Sequence, residues 1–195
     1  MRSSIYLVGV AATLVFARPV LPQSAVHDDA RGRRVSVHTL LGGYVPTGAQ
    51  RGAFAPAPVV GVQVAVGLRR TLALVAGAAI AQTEDRTAAP RANVNLVQFD
   101  VGVEFGRASG GRLRRGLAPF AGVGVGGRTY DYAAGGIATR VFPTGYAAGG
   151  AEVALGRAGL RVEARDHLSR YQRPPVSTSI RNDLVLLAAL AYHFR

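Results

Sequence analysis

Two stretches near the carboxyl end decide the fold: LRVEARDHLS at 160–169 and DLVLLAALAYHF at 183–194. In the first, one face carries Leu160, Val162, Ala164 and Leu168, and the other carries Arg161, Glu163, Arg165, His167 and Ser169. In the second, one face carries Leu184, Leu186, Ala188, Leu190, Tyr192 and Phe194. Alternation with period two indicates a strand whose faces meet different environments. About ten residues is what a tilted strand needs to cross a bilayer, so the pair predicts a membrane-spanning hairpin.

Six earlier segments repeat this alternation, and the predicted strands cover 35–44, 59–69, 72–82, 93–105, 117–130 and 145–155. Long connections follow the first, third, fifth and seventh strands, and shorter ones follow the others. The connection at 69–71 is so short that it demands an antiparallel hairpin. Long loops on one side and short turns on the other are the layout of outer-membrane barrels. The predicted fold class is therefore all-β, an eight-stranded antiparallel up-and-down transmembrane β-barrel.

The amino end has the order of a secretory signal. Arg2 precedes an apolar run over 5–16, and a polar stretch with prolines leads to Ala25. The alternative is a buried N-terminal helix. We expect a signal peptide at 1–25, a short N-terminal segment at 26–34 and the barrel at 35–195.

The charge of the chain is strongly basic, with a formal net charge of +12. All basic residues are Arg, but they are scattered and no nucleic-acid-binding motif is present, so we expect no nucleic-acid partner. The chain contains no Cys, which excludes disulfide and thiolate chemistry. The four His residues lack metal-ligand spacing, and no cofactor or metal is expected.

Alternation alone does not separate a membrane barrel from a soluble one, because a lipocalin-type barrel with an apolar interior shows the same period. Aromatic residues at the strand ends favour the membrane. One predicted rim has Tyr44, Tyr130, Tyr132, Tyr146 and Tyr171, and the other has Phe105, Tyr192 and Phe194. Two such girdles are typical of bilayer-spanning barrels.

Charges of both signs share the polar face, which suits a closed interior where charges must pair. The predicted lumen network consists of Arg69, Asp100, Glu104, Arg128, Glu152, Arg161, Glu163 and Arg165. It can be an ion gate or a structural plug. We favour the plug, because eight strands enclose an interior just wide enough for side chains to fill.

The chain resembles the small eight-stranded outer-membrane barrels of the OmpA, OmpX and OmpW type over about 35–194. The resemblance rests on strand count, loop alternation, the Glu163 and Arg165 pair, and the terminal strand ending in Phe194. It implies residence in the bacterial outer membrane, with lipid and lipopolysaccharide as partners. It also implies recognition of the terminal aromatic by the barrel-assembly machinery, although Arg195 follows Phe194 here.

Loop arginines are candidates for lipopolysaccharide phosphates, which Arg binds by bidentate contacts. They are Arg51, Arg86, Arg91, Arg140, Arg173 and Arg181. The alternative is that they are only solvated loop charges.

One feature hints at catalysis, since lipid A deacylases are also eight-stranded barrels with a His-x-Ser in a late strand. Here His167 and Ser169 match, but no Glu follows them and Asp183 would have to orient the His. We expect no catalytic residues and a structural or cell-surface interaction role. The alternatives are OmpW-like passage of small apolar molecules and, more remotely, deacylation.

Overall fold

The computed structural model describes residues 34–69, 71–87, 91–106, 117–132, 141–171 and 179–194. The signal peptide expected at 1–25 lies outside these ranges. Within them, no helix has the length and apolar character needed to span a membrane. The helix that they contain is a short 3-10 segment, Gly48–Gly52.

Eight antiparallel strands form one closed barrel in sequence order. They are β1 Val35–Pro46, β2 Ala57–Arg69, β3 Leu72–Asp85, β4 Ala92–Phe105, β5 Leu117–Tyr132, β6 Val141–Leu155, β7 Ala158–Tyr171 and β8 Ser179–Phe194. Each strand pairs with the next, and β8 pairs with β1, where Val35 lies opposite Phe194. The predicted all-β, eight-stranded antiparallel fold is confirmed.

Strand bounds at the short-turn end agree with the prediction except that β7 begins at Ala158, two residues early, and the bounds at the long-loop end differ more. β6 begins at Val141, four residues before the predicted start, and β8 begins at Ser179, also four residues early. Backbone pairing extends these strands past the alternating segment, because inter-strand hydrogen bonds do not require apolar side chains. The barrel therefore rises beyond its apolar band on the long-loop side.

The outer surface of the barrel is mostly apolar. Val101 is 54% exposed, Val125 63% and Leu190 59%, whereas the interior Arg128 is fully buried. An exposed apolar surface that surrounds a whole molecule is the pattern of a lipid-facing barrel, not of a soluble one. The predicted orientation of the two faces is confirmed.

The predicted aromatic girdle at the long-loop end is wrong. Tyr44, Tyr130, Tyr132 and Tyr146 are all buried inside the barrel. Burial leaves a phenol needing a partner, and two interior carboxylates accept such bonds: Tyr44 donates to Asp183 at 3.1 Å and Tyr132 to Asp85 at 2.9 Å. The side chain of Tyr171 lies outside the described set.

Aromatics at the short-turn end do face outward. Phe105, Tyr192 and Phe194 are each about half exposed. The rings of Tyr192 and Phe194 meet edge to face with centroids 4.9 Å apart. This end of the barrel has the predicted aromatic rim.

Glycines on the inner face make room for large interior side chains. A Cβ at Gly124 would lie 2.6 Å from Tyr146 Cζ, and a Cβ at Gly150 would lie 2.6 Å from Phe120 Cζ. Real Cβ atoms essentially never approach so closely. The glycines inside the apolar runs therefore position the tyrosine and the phenylalanine that fill the lumen.

The interior at the long-loop end is an apolar cluster covered by the β1–β2 connection. Phe54 is buried there and stacks on Tyr130 with ring centroids 5.6 Å apart. Thr83 Oγ1 donates to Ala55 O at 2.6 Å, and Phe54 forms a β-bridge to Asp85. The connection thus lies over this end of the barrel and packs into it.

Candidate functional site: the charged interior of the barrel

Arg161, on the inner face of β7, is the centre of the charged interior near the short-turn end. Its guanidinium lies 2.5 Å from Glu104, 2.8 Å from Glu163 and 3.8 Å from Glu152. It also stacks over the Phe120 ring, 3.6 Å from the centroid. The side chain is fully buried, and three carboxylates with one aromatic face compensate for its lost hydration.

Glu163 connects this centre to the middle of the barrel. Its carboxylate accepts from Arg161 and also from Arg165 Nε. Arg165 in turn lies 3.5 Å from Asp100 and 5.3 Å from the Tyr146 ring centroid. Because Arg161, Glu163 and Arg165 alternate along β7, their side chains follow one another along the inner wall.

Gln98 joins the middle of the barrel to the long-loop end. Its Nε2 donates to Asp100 at 2.8 Å, and its Oε1 accepts from Arg128 at 2.6 and 3.0 Å. Arg128 also pairs with Asp183, the acceptor for Tyr44. An amide suits this position because it donates on one side and accepts on the other.

These contacts form one continuous chain along the barrel, and Gln63 adds to it by donating to Glu104 at 3.1 Å. We call the connected set the axial network: Tyr44, Gln63, Gln98, Asp100, Glu104, Arg128, Glu152, Arg161, Glu163, Arg165 and Asp183. At its short-turn end, His193 lies 3.0 Å from Glu152. Hydrogen-bonded buried charges of this kind stabilise one arrangement of side chains, because removal of any member leaves another without its partner.

Seven of the eight residues predicted for the lumen network come together in the axial network. The eighth, Arg69, is exposed at the end of β2. A register shift between Gly67 and Arg69 interrupts the inward alternation just before it.

The axial network has four members beyond those seven: Tyr44, Gln63, Gln98 and Asp183. The period-two alternation could have identified them, because each lies at an inward position of its strand.

The catalytic alternative involves residues that also face the interior. His167 and Ser169 are buried, and Gln98 Nε2 lies within 3.0 Å of both His167 ring nitrogens. Ser169 Oγ has no hydrogen-bond partner among the described residues. Asp183 is bound by Arg128 and Tyr44. The Ser-His hydrogen bond that activates a serine nucleophile is absent from this part of the chain.

Three of the candidate lipopolysaccharide arginines lie in described segments at the long-loop end. Arg51, Arg86 and Arg91 are exposed, and Arg91 lies 3.5 Å from Glu84. Arg140, Arg173 and the side chain of Arg181 lie outside the described set.

One interior cavity lies beside the middle of the axial network. It has a volume of about 20 Å³ and is lined by Leu40, Leu96, Arg165, His167 and others. That volume holds about one water molecule. Arg165 Nη2 is buried without a hydrogen-bond partner among the described residues. No group of three or more ligating side chains that could hold a metal occurs in the described segments.

A closed eight-stranded barrel with an apolar exterior and a charged interior belongs to the class of transmembrane β-barrels. Comparison with protein-family models found no match, and comparison with curated proteins by sequence found none either.

Solved structures share the fold. OprG, an outer-membrane protein of Pseudomonas aeruginosa, is 12% identical at a TM-score of 0.61, and the match covers 84% of this chain and 96% of OprG. Neisserial surface protein A is 11% identical at a TM-score of 0.61, with 83% of this chain and 97% of that protein covered.

Proposed function

We propose that this protein is a non-enzymatic barrel of the bacterial outer membrane with a structural or cell-surface interaction role. One observation carries the proposal: the axial network extends along the interior from Tyr44 at the long-loop end to Glu152 at the short-turn end, and Arg161 is fully buried among three carboxylates. A lumen filled by paired side chains does not conduct ions.

Planar-bilayer recording tests this role. The purified barrel is expected to show no stable conductance steps. A variant that removes the central link, Gln98→Ala with Arg128→Ala, widens the interior and serves as the positive comparison. Regular ohmic steps from the unmodified protein would contradict the proposal.

Placement in the outer membrane is supported by the apolar exterior and by the barrel layout. Phe194, the last residue of β8, is then the signal for the barrel-assembly machinery, with Arg195 after it. Deleting Arg195 is expected to leave assembly intact or improve it, whereas Phe194→Ala is expected to reduce the folded fraction in outer-membrane preparations. Equal assembly of Phe194→Ala and the unmodified chain would show that Phe194 is not the assembly signal.

Lipopolysaccharide is the proposed outer-leaflet partner. Arg51, Arg86 and Arg91 are exposed at the long-loop end, where phosphate groups of that lipid would lie. Replacing all three by Gln is expected to weaken lipopolysaccharide binding. Unchanged binding would mean that these arginines are only solvated charges.

Passage of small apolar molecules is the second candidate, and the apolar cluster at the long-loop end favours it. Phe54 covers that cluster and the Arg128–Asp183 pair lies beneath it, so passage requires the β1–β2 connection to move. Uptake of an apolar fluorophore into vesicles measures this passage. If the Phe54→Ala variant raises the uptake and the unmodified protein does not, the unmodified barrel is closed. Rapid uptake by the unmodified protein would favour passage.

The buried positions of His167 and Ser169 favour a non-enzymatic role, because a lipid substrate would approach from the exterior. A lipid A deacylation assay tests it. Acyl release that is lost in Ser169→Ala would overturn this part of the proposal.

A further inference from the structure

Three arginines lie at the short-turn rim of the barrel. Arg34 directly precedes β1, Arg69 ends β2, and Arg157 lies in the turn between β6 and β7. Arg69 and Arg157 are exposed, and Arg34 is partly exposed. None belongs to the axial network.

The backbone places these residues on one arc of the rim. Gly67 N donates to Arg34 O at 2.9 Å, and His193 N donates to Arg157 O at 2.8 Å. β8 lies between them, with Phe194 opposite Val35. The arc therefore crosses neighbouring strands β7, β8, β1 and β2, and adjacent strands lie about 4.8 Å apart.

In the described segments, the two exposed arginines of this arc, Arg69 and Arg157, have no exposed carboxylate beside them on the short-turn rim. Glu104 and Glu152, the acids closest to this end, are buried in the axial network. The sequences of the short connections, 70–71, 106–116 and 156–157, also contain no Asp or Glu, whereas the segment that leads into Arg34 contains Asp28 and Asp29. The long-loop rim differs, because its exposed arginines share it with Glu84, Asp131 and Asp166.

The outer surface next to the arc is apolar. Leu68 and Leu155 are about half exposed or more, and so is Phe194. Arginines directly beyond such a band lie at the depth of lipid headgroups, where the guanidinium reaches phosphate while its stem stays against apolar surface. Guanidinium also matches phosphate geometry with two parallel hydrogen bonds.

We propose that Arg34, Arg69 and Arg157 form a binding site for headgroups of anionic phospholipid in the leaflet at the short-turn end. This site rests on the proposed function, because it requires the barrel to span the membrane. It gives the barrel different anionic lipids at its two rims: phospholipid at the arginine arc and lipopolysaccharide at the long loops.

Native mass spectrometry of the folded barrel in detergent tests the site. The probes are phosphatidylglycerol and phosphatidylcholine with the same acyl chains, added in separate titrations. The test variant is Arg34→Gln/Arg69→Gln/Arg157→Gln. The matched control, Arg51→Gln/Arg86→Gln/Arg91→Gln, removes the same charge from the opposite rim. Arg157→Gln alone, a change in a turn, is a milder second variant.

The unmodified barrel and the control are expected to prefer phosphatidylglycerol. Each arginine removed from the arc is expected to weaken the binding of phosphatidylglycerol about five-fold. This factor corresponds to the contribution of about 1 kcal/mol that one basic residue makes near an anionic surface. Equal losses in the test and control triples would overturn the site, because the attraction would then follow net charge alone. The chain could instead bind cell-wall sacculi through the arc. If the test triple abolishes that binding and leaves the lipid preference unchanged, the arc serves another partner, and the headgroup site is overturned as well.

Heat-modifiable gel mobility separates the two proposals. A chain that shows no folded band in detergent or vesicles refutes the membrane barrel itself. A chain that folds and inserts but shows no phosphatidylglycerol preference refutes the headgroup site alone.

Discussion

Glu163 is the position where one side-chain change should do most damage to the axial network. Glu163→Gln keeps the shape of the side chain but removes the carboxylate that accepts from Arg161 at 2.8 and 2.9 Å and also from Arg165. Arg161 keeps Glu104, whereas Arg165 keeps the longer ion pair to Asp100 at 3.5 Å and the contact with the Tyr146 ring. Removing one partner of a buried ion pair costs about 3–5 kcal/mol. We expect a loss of about 3 kcal/mol, and a larger one for the charge reversal Glu163→Arg.

Equilibrium urea unfolding of the barrel in lipid vesicles measures this loss, with the folded fraction read from gel mobility without heating. Glu84→Gln is the matched control, because Glu84 pairs with Arg91 at an exposed site, 3.5 Å away. An exposed pair contributes about 0–1 kcal/mol. If the free energy of unfolding of Glu163→Gln lies within about 1 kcal/mol of that of the unmodified chain, or is no lower than that of Glu84→Gln, the expected loss is refuted. The interior charges would then not stabilise the barrel.

Three further changes test other parts of the structure. Gly124→Val should prevent efficient refolding, because Tyr146 and the backbone oxygen of Val101 occupy that space. Adding Tyr146→Ala should not restore folding, since the contact with Val101 O remains. Refolding yield on unheated gels decides, and a Gly124→Val yield equal to that of the unmodified chain would count against the packing. Phe54→Ala should lower the free energy of unfolding by about 3 kcal/mol, because it removes the ring that stacks on Tyr130. It should also expose the β1–β2 connection to protease. Unchanged digestion would show that Phe54 does not close the barrel. Val125→Arg, in the middle of the lipid-facing surface, should lower the free energy of unfolding in vesicles by about 2–4 kcal/mol. Thr129→Arg, nearer the rim, should lower it by about 0–1 kcal/mol. Equal losses would show that this surface does not face lipid.

The strands were predictable because the period-two pattern is local. The β2–β3 hairpin was readable from the run of valines and the short connection at 69–71. The ends of β6 and β8 were not, because pairing there continues through residues that alternate poorly.

The interior charges were mostly predictable from parity, as for Arg161 and Glu163. The tyrosines were not: an aromatic near a strand end suits either a lipid interface or a buried site with a carboxylate acceptor. Tyr44 and Tyr132 lie inside because Asp183 and Asp85 accept their hydroxyls. Those acceptors come from strands far away in sequence, so the choice depends on the assembled barrel.

The most direct test of the account is a scan of β8 with single spin labels at positions 184–190, which the absence of native Cys permits. In vesicles, labels at Leu184, Leu186, Ala188 and Leu190 should collide with dissolved oxygen and not with a water-soluble nickel chelate, and labels at Val185, Leu187 and Ala189 should reach neither well. A two-residue oscillation in oxygen access is the expected result. Nickel access at the even positions, or no oscillation along the strand, would show that the apolar face does not lie against lipid.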